Sequence, residues 1–229
     1  MATKKQRKIL VGVTGEKEKD WKEKIKEVKK YRIKEIGLFL ERFEKKEREK
    51  IYEALPKSGV KNIPLVHIRN DMKKEELSFL FDNFNSKYFT IHEDSFKYLE
   101  KWRGYYKYLF LEMNTDNFVS QSVKVDRIGG FCVDLSHFKV EITKWSREFE
   151  YVFERRKTNR YFKCNHLNGY SSRRNIDMHT VERLKDFDYL RTLPKFVFGD
   201  IISLETENRI KEQLEFKRYL TKMLKEILD

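Results

Sequence analysis

The sequence predicts an α/β protein that forms a single (β/α)₈ barrel, the TIM barrel, over residues 1–229. Three observations favour this fold. Short apolar runs rich in β-branched and aromatic residues alternate with charged stretches of helical spacing, which is typical of parallel βαβ units. The runs number eight, which favours a closed barrel over an open sheet. The chain also lacks linkers, low-complexity stretches and obvious short repeats, which predicts one domain.

The eight predicted strands follow one another along the whole chain. They are KILVGV (8–13), IGLFL (36–40), NIPLVH (62–67), YFTIH (88–92), YLFLE (108–112), GFCVD (130–134), YFKCNH (161–166) and FVFGDIISLE (196–205). Apolar residues recur every three or four positions over 21–28, 77–84 and 210–227, which predicts amphipathic helices there. A further helix is predicted over 115–128, where the pattern is irregular.

The composition is strongly basic, with 50 Lys and Arg against 37 Asp and Glu and a net charge of +13. An excess of this kind either attracts a polyanion or belongs to a solvated Lys/Glu-rich surface. The mixed charge runs at 15–30 and 41–50 favour solvated helix faces for most of the charge.

The sequence also indicates where the protein resides. No apolar run approaches the ~20 residues that a membrane span needs, and the first residues lack the apolar core and cleavage site of a signal peptide. Two cysteines are too few for a disulfide framework in a chain of this length. We therefore expect a cytoplasmic protein without membrane contact.

Six consecutive predicted strands end in a residue that can bind a metal ion. Carboxyl ends of barrel strands form the catalytic face of TIM barrels, and here they carry His67, His92, Glu112, Asp134, His166 and Glu205. Two residues earlier, on the same face of each strand, the side chains are small or apolar, as expected for a core layer beneath a site. These are Leu65, Thr90, Phe110, Cys132, Cys164 and Ser203.

Each of the remaining histidines follows a carboxylate closely in the sequence. His137 comes three residues after Asp134, and His179 comes two residues after Asp177. A single polar strand end is commonly a hydrogen-bonded core residue or a helix cap. Four carboxylates gathered at one barrel face, however, need compensating cations. Imidazoles and carboxylates without thiolates favour Zn²⁺, Mn²⁺, Fe²⁺ or Co²⁺ over Ca²⁺ and Mg²⁺, and nine ligands suffice for two or three ions.

At these positions the motifs resemble those of a known family. LEMN at Glu112, CVDLSH at Asp134 and His137, NHLNGY at His166, DMH at Asp177 and His179, and LET at Glu205 resemble the xylose isomerase-like TIM barrels, and within them the endonuclease IV-type AP endonucleases (AP endonuclease family 2). This resemblance implies a three-zinc cluster. His67 and His92 would complete the first ion, Glu112 would bridge two ions, Asp134, His166 and Glu205 would hold the second, and His137, Asp177 and His179 would hold the third.

The resemblance implies a divalent-metal-dependent hydrolase that cleaves phosphoester bonds, with abasic DNA as one candidate substrate. The chain is shorter than the DNA-repair members, which predicts reduced substrate loops. Arg69, Arg173 and Arg174 follow predicted strands and are candidate phosphate-binding residues, although exposed loop arginines are the alternative interpretation.

Two other functions stay open. A sugar or sugar-phosphate isomerase or epimerase of the same barrel group would use one metal on the four residues Glu112, Asp134, His166 and Glu205. Glu112 and Glu205 would then be the catalytic residues that move a proton between adjacent carbons. Asp177 and His179 distinguish this isomerase from the multi-metal phosphoesterase, because a one-metal isomerase has no evident need for them. A binding protein with a residual metal site is the third hypothesis.

Overall fold

Eight parallel strands close into a barrel, which confirms the predicted (β/α)₈ fold. The structure, a computed structural model, describes residues 7–228. The barrel strands run in the order β1-β10-β7-β6-β5-β4-β3-β2. They are β1 (Lys8–Val13), β2 (Glu35–Phe39), β3 (Asn62–His67), β4 (Tyr88–His92), β5 (Leu109–Glu112), β6 (Gly130–Asp134), β7 (Phe162–Leu167) and β10 (Ile201–Leu204). The two short strands β8 (Gly169–Ser171) and β9 (Ile176–Met178) form an antiparallel hairpin outside the barrel.

The predicted strand over 196–205 begins too early. Pairing with β7 starts at Ile201, and the preceding residues form a 3₁₀ turn, Lys195–Val197, and a bend. Val197 and Phe198 are buried, so this segment is apolar because it packs into the core and not because it pairs as a strand. Gly199 donates its backbone N–H to Asn165 Oδ1 at 2.6 Å, which holds the segment against β7.

Helices cover most of the barrel, but not every strand is followed by an α-helix. The α-helices are α1 (Glu18–Lys30), α2 (Lys45–Ser58), α3 (Lys74–Phe84), α4 (Leu135–Lys144), α5 (Arg147–Phe153) and α6 (Ile210–Leu228). After β4 and β7 the covering elements are the 3₁₀ helices Glu93–Trp102 and Leu184–Thr192. Residues 113–129, all of them described, contain only the 3₁₀ turn Val125–Arg127, so the helix predicted over 115–128 is wrong: the irregular spacing of its apolar residues gives no continuous apolar face.

The barrel interior contains the layer that the strand alternation predicts. Leu65, Phe110, Cys132 and Cys164 form one buried apolar cluster, and Thr90 and Ser203 lie in the same layer without solvent exposure. Strand β2 passes close to this layer, because Gly37 faces Ser203 and any side chain at Gly37 would collide with it. Both thiols are buried and free, which agrees with their prediction as core residues.

The two mixed charge runs are not uniformly solvated, and that prediction was wrong for two residues on helices. Lys24 is buried and donates to the carbonyl of Thr206 at 2.7 Å. Arg48 is completely buried between α2 and α3. A cation can be buried when its donors are satisfied by fixed acceptors, which composition alone does not reveal. None of the helices within residues 7–228 combines the length and apolarity that a membrane span requires.

Candidate metal centre

The carboxyl ends of the barrel strands carry the predicted ligands at a single edge of the barrel. His67, His92, Glu112 and Asp134 are the last residues of β3, β4, β5 and β6, His166 lies one residue before the end of β7, and Glu205 directly follows β10. Register places His92 beside Glu112 and Asp134 beside His166. Parallel strands in register thus bring side chains from distant parts of the sequence to adjacent positions.

The structure places all nine predicted ligands in close groups, and within each group the ligand atoms lie within 4.8 Å of one another. The first group is His67, His92 and Glu112; the second is Glu112, Asp134, His166 and Glu205; the third is His137, Asp177 and His179. Glu112 belongs to the first and second groups, and its Oε1 lies 3.7 Å from His137 Nδ1 of the third. We call these nine residues the ligand cluster.

Asp134 is oriented by hydrogen bonds to both of its oxygens. Its Oδ1 accepts from the backbone N–H groups of Ser136 and His137, each at 2.8 Å, and from Ser136 Oγ at 2.7 Å. These bonds cap α4, so the helix-cap interpretation of a strand-terminal Asp holds for this oxygen. Its Oδ2 accepts from Asn168 Nδ2 at 2.9 Å, and the same amide reaches Glu205 Oε2 at 3.3 Å. The buried Asn168 therefore aligns two carboxylates of the second group.

His166 is held from below by the core layer. Thr90 Oγ1 lies 3.3 Å from His166 Nε2, so this nitrogen is hydrogen-bonded to the hydroxyl. The other ring nitrogen, Nδ1, faces the carboxylates, 2.8 Å from Glu112 Oε2 and 3.4 Å from Glu205 Oε2. A partner on one imidazole nitrogen fixes which nitrogen is available to a metal ion.

The third group is more open than the other two. Asp177 comes from β9 and His137 from the first turn of α4. Asp177 Oδ2 lies 3.2 Å from His179 Nε2 and 3.6 Å from His137 Nε2. These side chains retain 24–30% of their exposure, whereas those of Glu112 and His166 retain 3% and 0%. An ion held by the third group would therefore have solvent beside it.

Many polar atoms of the ligand cluster are buried without a hydrogen bond. Among the residues described, the buried atoms that lack a hydrogen bond include His67 Nδ1 and Nε2, His92 Nδ1 and His137 Nδ1, together with Glu112 Oε2 and His166 Nδ1, which lie 2.8 Å apart without hydrogen-bond alignment. Buried polar groups are otherwise almost always satisfied, because an unsatisfied one costs about 1–3 kcal/mol. These atoms are imidazole nitrogens and a carboxylate oxygen, which are ligands of Zn²⁺ and Mn²⁺. The residues present therefore fit a group of divalent ions.

Three of the five cluster histidines, His137, His166 and His179, have a raised pKa and balance the carboxylates in the metal-free chain, whereas burial lowers the pKa of His67 and His92. Burial acts to raise the pKa of Glu112, yet His166 and His67 together hold it well below its usual range. Burial acts to lower the pKa of His166, but Cys132, Glu112 and Glu205 raise it well above its ordinary value. Burial raises the pKa of Glu205. Divalent ions would replace these protons as the compensating charge.

The third group is charged in the same way. Burial acts to lower the pKa of His137, but Asp134 and Asp177 raise it to about 10. Burial also acts to lower the pKa of His179, but its bond to Asp177 and the nearby Glu205 raise it to about 9. The bonds from both rings hold the pKa of Asp177 well below its usual range.

A cleft of about 680 Å³ opens beside the third group. We call it the hairpin cleft, because the β8–β9 hairpin and the start of the following 3₁₀ helix line it. Its charged residues are Arg173, Arg174, Asp177, Glu182, Arg183, Lys185 and Asp186. Two of the three predicted phosphate-binding arginines therefore share a cleft with a predicted ligand. The third, Arg69, does not line that cleft and lies beside Asp71 at 3.6 Å.

Sequence reasoning missed one carboxylate next to the ligand cluster. Glu41 lies two residues after β2, and its Oε2 is 3.6 Å from His67 Nδ1. Burial raises the pKa of this carboxyl, although His67 opposes the effect. The residue begins the charged run 41–50, for which composition predicts a solvated surface. The available signal was positional, because Glu41 directly follows the predicted strand 36–40.

Comparison of the chain with known protein families and with curated proteins finds no match. The ligand cluster is therefore interpreted from its own geometry and chemistry.

Proposed function

We propose that this protein is a divalent-metal-dependent phosphoesterase that uses a cluster of two or three ions, with zinc as the first candidate and manganese as the second. The observation that carries the proposal is the third group, His137, Asp177 and His179, placed 3.7 Å from Glu112 at the edge of a fully formed four-residue group. Chemistry that needs one ion would give this group no metal to bind. Phosphoester cleavage can use several ions, because it develops charge on both the attacking and the leaving oxygen.

The residues of the chain would hold the ions in three adjacent positions. The first ion would be held by His67, His92 and Glu112. The second would be held by Glu112, Asp134, His166 and Glu205, and the third by the third group. When bound, such ions lower the pKa of water, so that it attacks near neutral pH, and stabilise the leaving oxygen. The buried carboxylates and Asn168 fix the spacing of the ligands. The exposed side of the third group leaves room for a phosphate.

The hairpin cleft would bind the anionic part of the substrate. Arg173 and Arg174 lie on the same cleft as Asp177, so a phosphate that reaches the third group passes their guanidinium groups. Guanidinium ions bind phosphate oxygens in a bidentate manner. The net charge of +13 favours approach of a polyanion, and abasic duplex DNA is the first substrate to test.

A second candidate is a metal-dependent sugar isomerase or epimerase. The four residues Glu112, Asp134, His166 and Glu205 form a complete group of their own, and Glu112 and Glu205 are both buried. One ion and two carboxylates suffice to move a proton between neighbouring carbons. In that case the third group would contact substrate without binding an ion.

The deciding experiment measures bound metal and activity together. Protein purified without chelator is analysed for zinc and manganese per chain, then incubated with abasic duplex, with a small phosphodiester and with a panel of keto-sugars. We expect two or three ions and phosphoester cleavage. Asp177→Asn should then lose one ion and most of the cleavage activity, with Asp186→Asn, on the same cleft but outside the ligand cluster, as the matched control.

Each other outcome overturns the proposal. One ion per chain together with sugar epimerisation that Asp177→Asn leaves unchanged would establish the isomerase. Bound metal without turnover of any of these substrates would favour a binding protein.

A further inference from the structure

Glu41 is a carboxylate beside the ligand cluster that the proposed ion positions do not use. It follows β2, and the neighbouring Leu40 donates its backbone N–H to the carbonyl of His67 at 2.8 Å. This bond joins the end of β2 to the end of β3 and sets the separation of the two side chains. Glu41 Oε2 and His67 Nδ1 lie 3.6 Å apart as a result.

Both sides of this contact lack other hydrogen-bond partners. Glu41 Oε2 and the two ring nitrogens of His67 are all buried and unpaired within the described chain. Arg42 approaches Glu41 only on its other oxygen, at 3.9 Å, and is itself exposed. The buried oxygen of Glu41 is therefore directed at the imidazole and not at the surface.

His67 Nδ1 also lies 3.6 Å from Glu112 Oε2 and 3.8 Å from Glu205 Oε1. Those two carboxylates belong to the close ligand groups, so Glu41 is the neighbour left to accept an N–H from this nitrogen. His67 belongs to two of the close ligand groups found among residues 7–228, one with His92 and Glu112 and one with His166 and Glu205, and Glu41 belongs to neither. An imidazole has two nitrogens. When one of them binds a metal ion, the N–H of the other is almost always donated to a carboxylate or a carbonyl group.

We propose that Glu41 is a positioning residue, which accepts the free ring N–H of His67 and so holds that imidazole in the orientation that binds the first ion. The inference rests on the proposed metal centre but not on its substrate. Loss of such an outer partner typically weakens metal affinity by about 10–100-fold, while the ligands themselves stay in place.

The test measures the affinity of each ion in wild-type protein and in three variants. Zinc is titrated against a chromophoric chelator into metal-free wild type, Glu41→Ala, Glu41→Gln and the control Glu44→Ala, which removes an exposed carboxylate from the same loop. We expect Glu41→Ala to weaken one ion by about 10–100-fold. Glu41→Gln should restore part of the affinity, because its amide oxygen still accepts a hydrogen bond. Glu44→Ala should match wild type.

Two further readouts separate positioning from a general structural role. In the zinc-bound protein, long-range ¹⁵N NMR should show a slowly exchanging imidazole N–H at His67 that is lost in Glu41→Ala. The melting temperature of the metal-free protein should stay level or rise in both Glu41 variants, because each removes a buried carboxylate without a hydrogen bond on Oε2.

The possible failures are distinguishable. A wild-type chain that binds no divalent ion overturns both this inference and the proposed function. Normal zinc affinity in Glu41→Ala overturns the inference alone, as does equal destabilisation of the metal-free and zinc-bound forms. Complete loss of one ion in Glu41→Gln as well as Glu41→Ala would make Glu41 a direct ligand and would also overturn the positioning role.

Discussion

Two buried polar regions of this barrel, the Arg48 network and the ligand cluster, differ in whether the protein satisfies them. Arg48 is fully buried, and its guanidinium donates to Glu76 at 2.8 and 3.1 Å, to Asp71 at 3.0 Å and to the carbonyl of Phe43 at 2.7 Å. Most of the ligand cluster is also buried, yet six of its nitrogen and oxygen atoms lack hydrogen bonds within the described residues.

The contrast separates a structural ion pair from the proposed metal site. The Arg48 network is complete, so it joins α2 to α3 and has nothing left to bind. The ligand cluster is incomplete, since its unpaired atoms carry a desolvation cost that bound cations would reduce. The difference supports the proposal that the ligand cluster binds metal ions and that the Arg48 network serves the fold.

The largest expected effect is on the residue shared by two ion positions. Glu112→Gln should remove the first and second ions and lower activity by at least about a thousandfold, because metal ions contribute several kcal/mol of transition-state stabilisation. Metal content and cleavage rate check this. Glu148→Gln, a buried carboxylate outside the ligand cluster, is the control. Retention of all ions in Glu112→Gln would contradict the bridging role.

The opposite pattern is expected in the Arg48 network. Arg48→Met should lower the free energy of unfolding by about 3 kcal/mol, since it leaves Glu76 without its buried partner. The number of zinc ions per folded chain should not change. Urea unfolding and elemental analysis measure the two quantities. Loss of zinc from a variant that keeps its stability would show that the two regions are coupled.

A smaller effect is expected when the pH is raised. The metal-free protein should lose stability, whereas its affinity for zinc should rise. His137 and His179 have pKa values raised to about 10 and about 9, against about 6.5 when unfolded. Their contribution to metal-free stability is full below about pH 6.5 and declines as the pH rises through the folded values. Asp177, whose pKa is lowered, contributes above its unfolded value of about 3.9 and loses that contribution in acid.

Zinc affinity should rise over the same interval, because the ions must displace those protons. The difference in unfolding free energy between metal-free wild type and Asp177→Asn, measured from pH 5 to 10, isolates the contribution of the third group. A difference that grows between pH 7 and 9 would contradict the assigned protonation states.

The smallest effect is expected in the hairpin cleft. Replacing Arg173 and Arg174 together by Ala should weaken substrate binding by about two- to thirtyfold, because exposed ion pairs contribute about 0.2–1 kcal/mol each. The slope of log affinity against log salt should become shallower by about one for each phosphate that the variant no longer neutralises. Arg69→Ala, outside the cleft, is the matched comparison. An equal effect of Arg69→Ala would place the phosphate elsewhere.

Much of the centre could be predicted because strand geometry is simple. A polar residue that ends a buried parallel strand must face the barrel rim, so His67, Glu112 and His166 were found from position alone. Asp177 and His179 lie on the β8–β9 hairpin and just after it, which no strand pattern predicts, and their assignment came from a motif.

The residues that were missed share a physical reason. Glu41 and Arg48 belong to a charged run whose composition matches a solvated helix, and only tertiary packing buries them. The 3₁₀ helices were likewise not predicted as such, because apolar spacing does not distinguish them from α-helices. The segment before Ile201 resembles a strand in sequence because burial and strand pairing both select apolar residues.

The pairing of β1 with β10, which we call the seam, has a consequence for the order in which the barrel assembles. Lys8 pairs with Ile201, and Leu10 with Ser203, so the barrel closes through pairing between opposite ends of the described chain. Pairings of such sequence separation form late and slowly. Glu205 follows the closing strand, so the second ion position is incomplete until the seam forms. Zinc capture would then report completed assembly, and a chain stalled during synthesis before β10 would lack it.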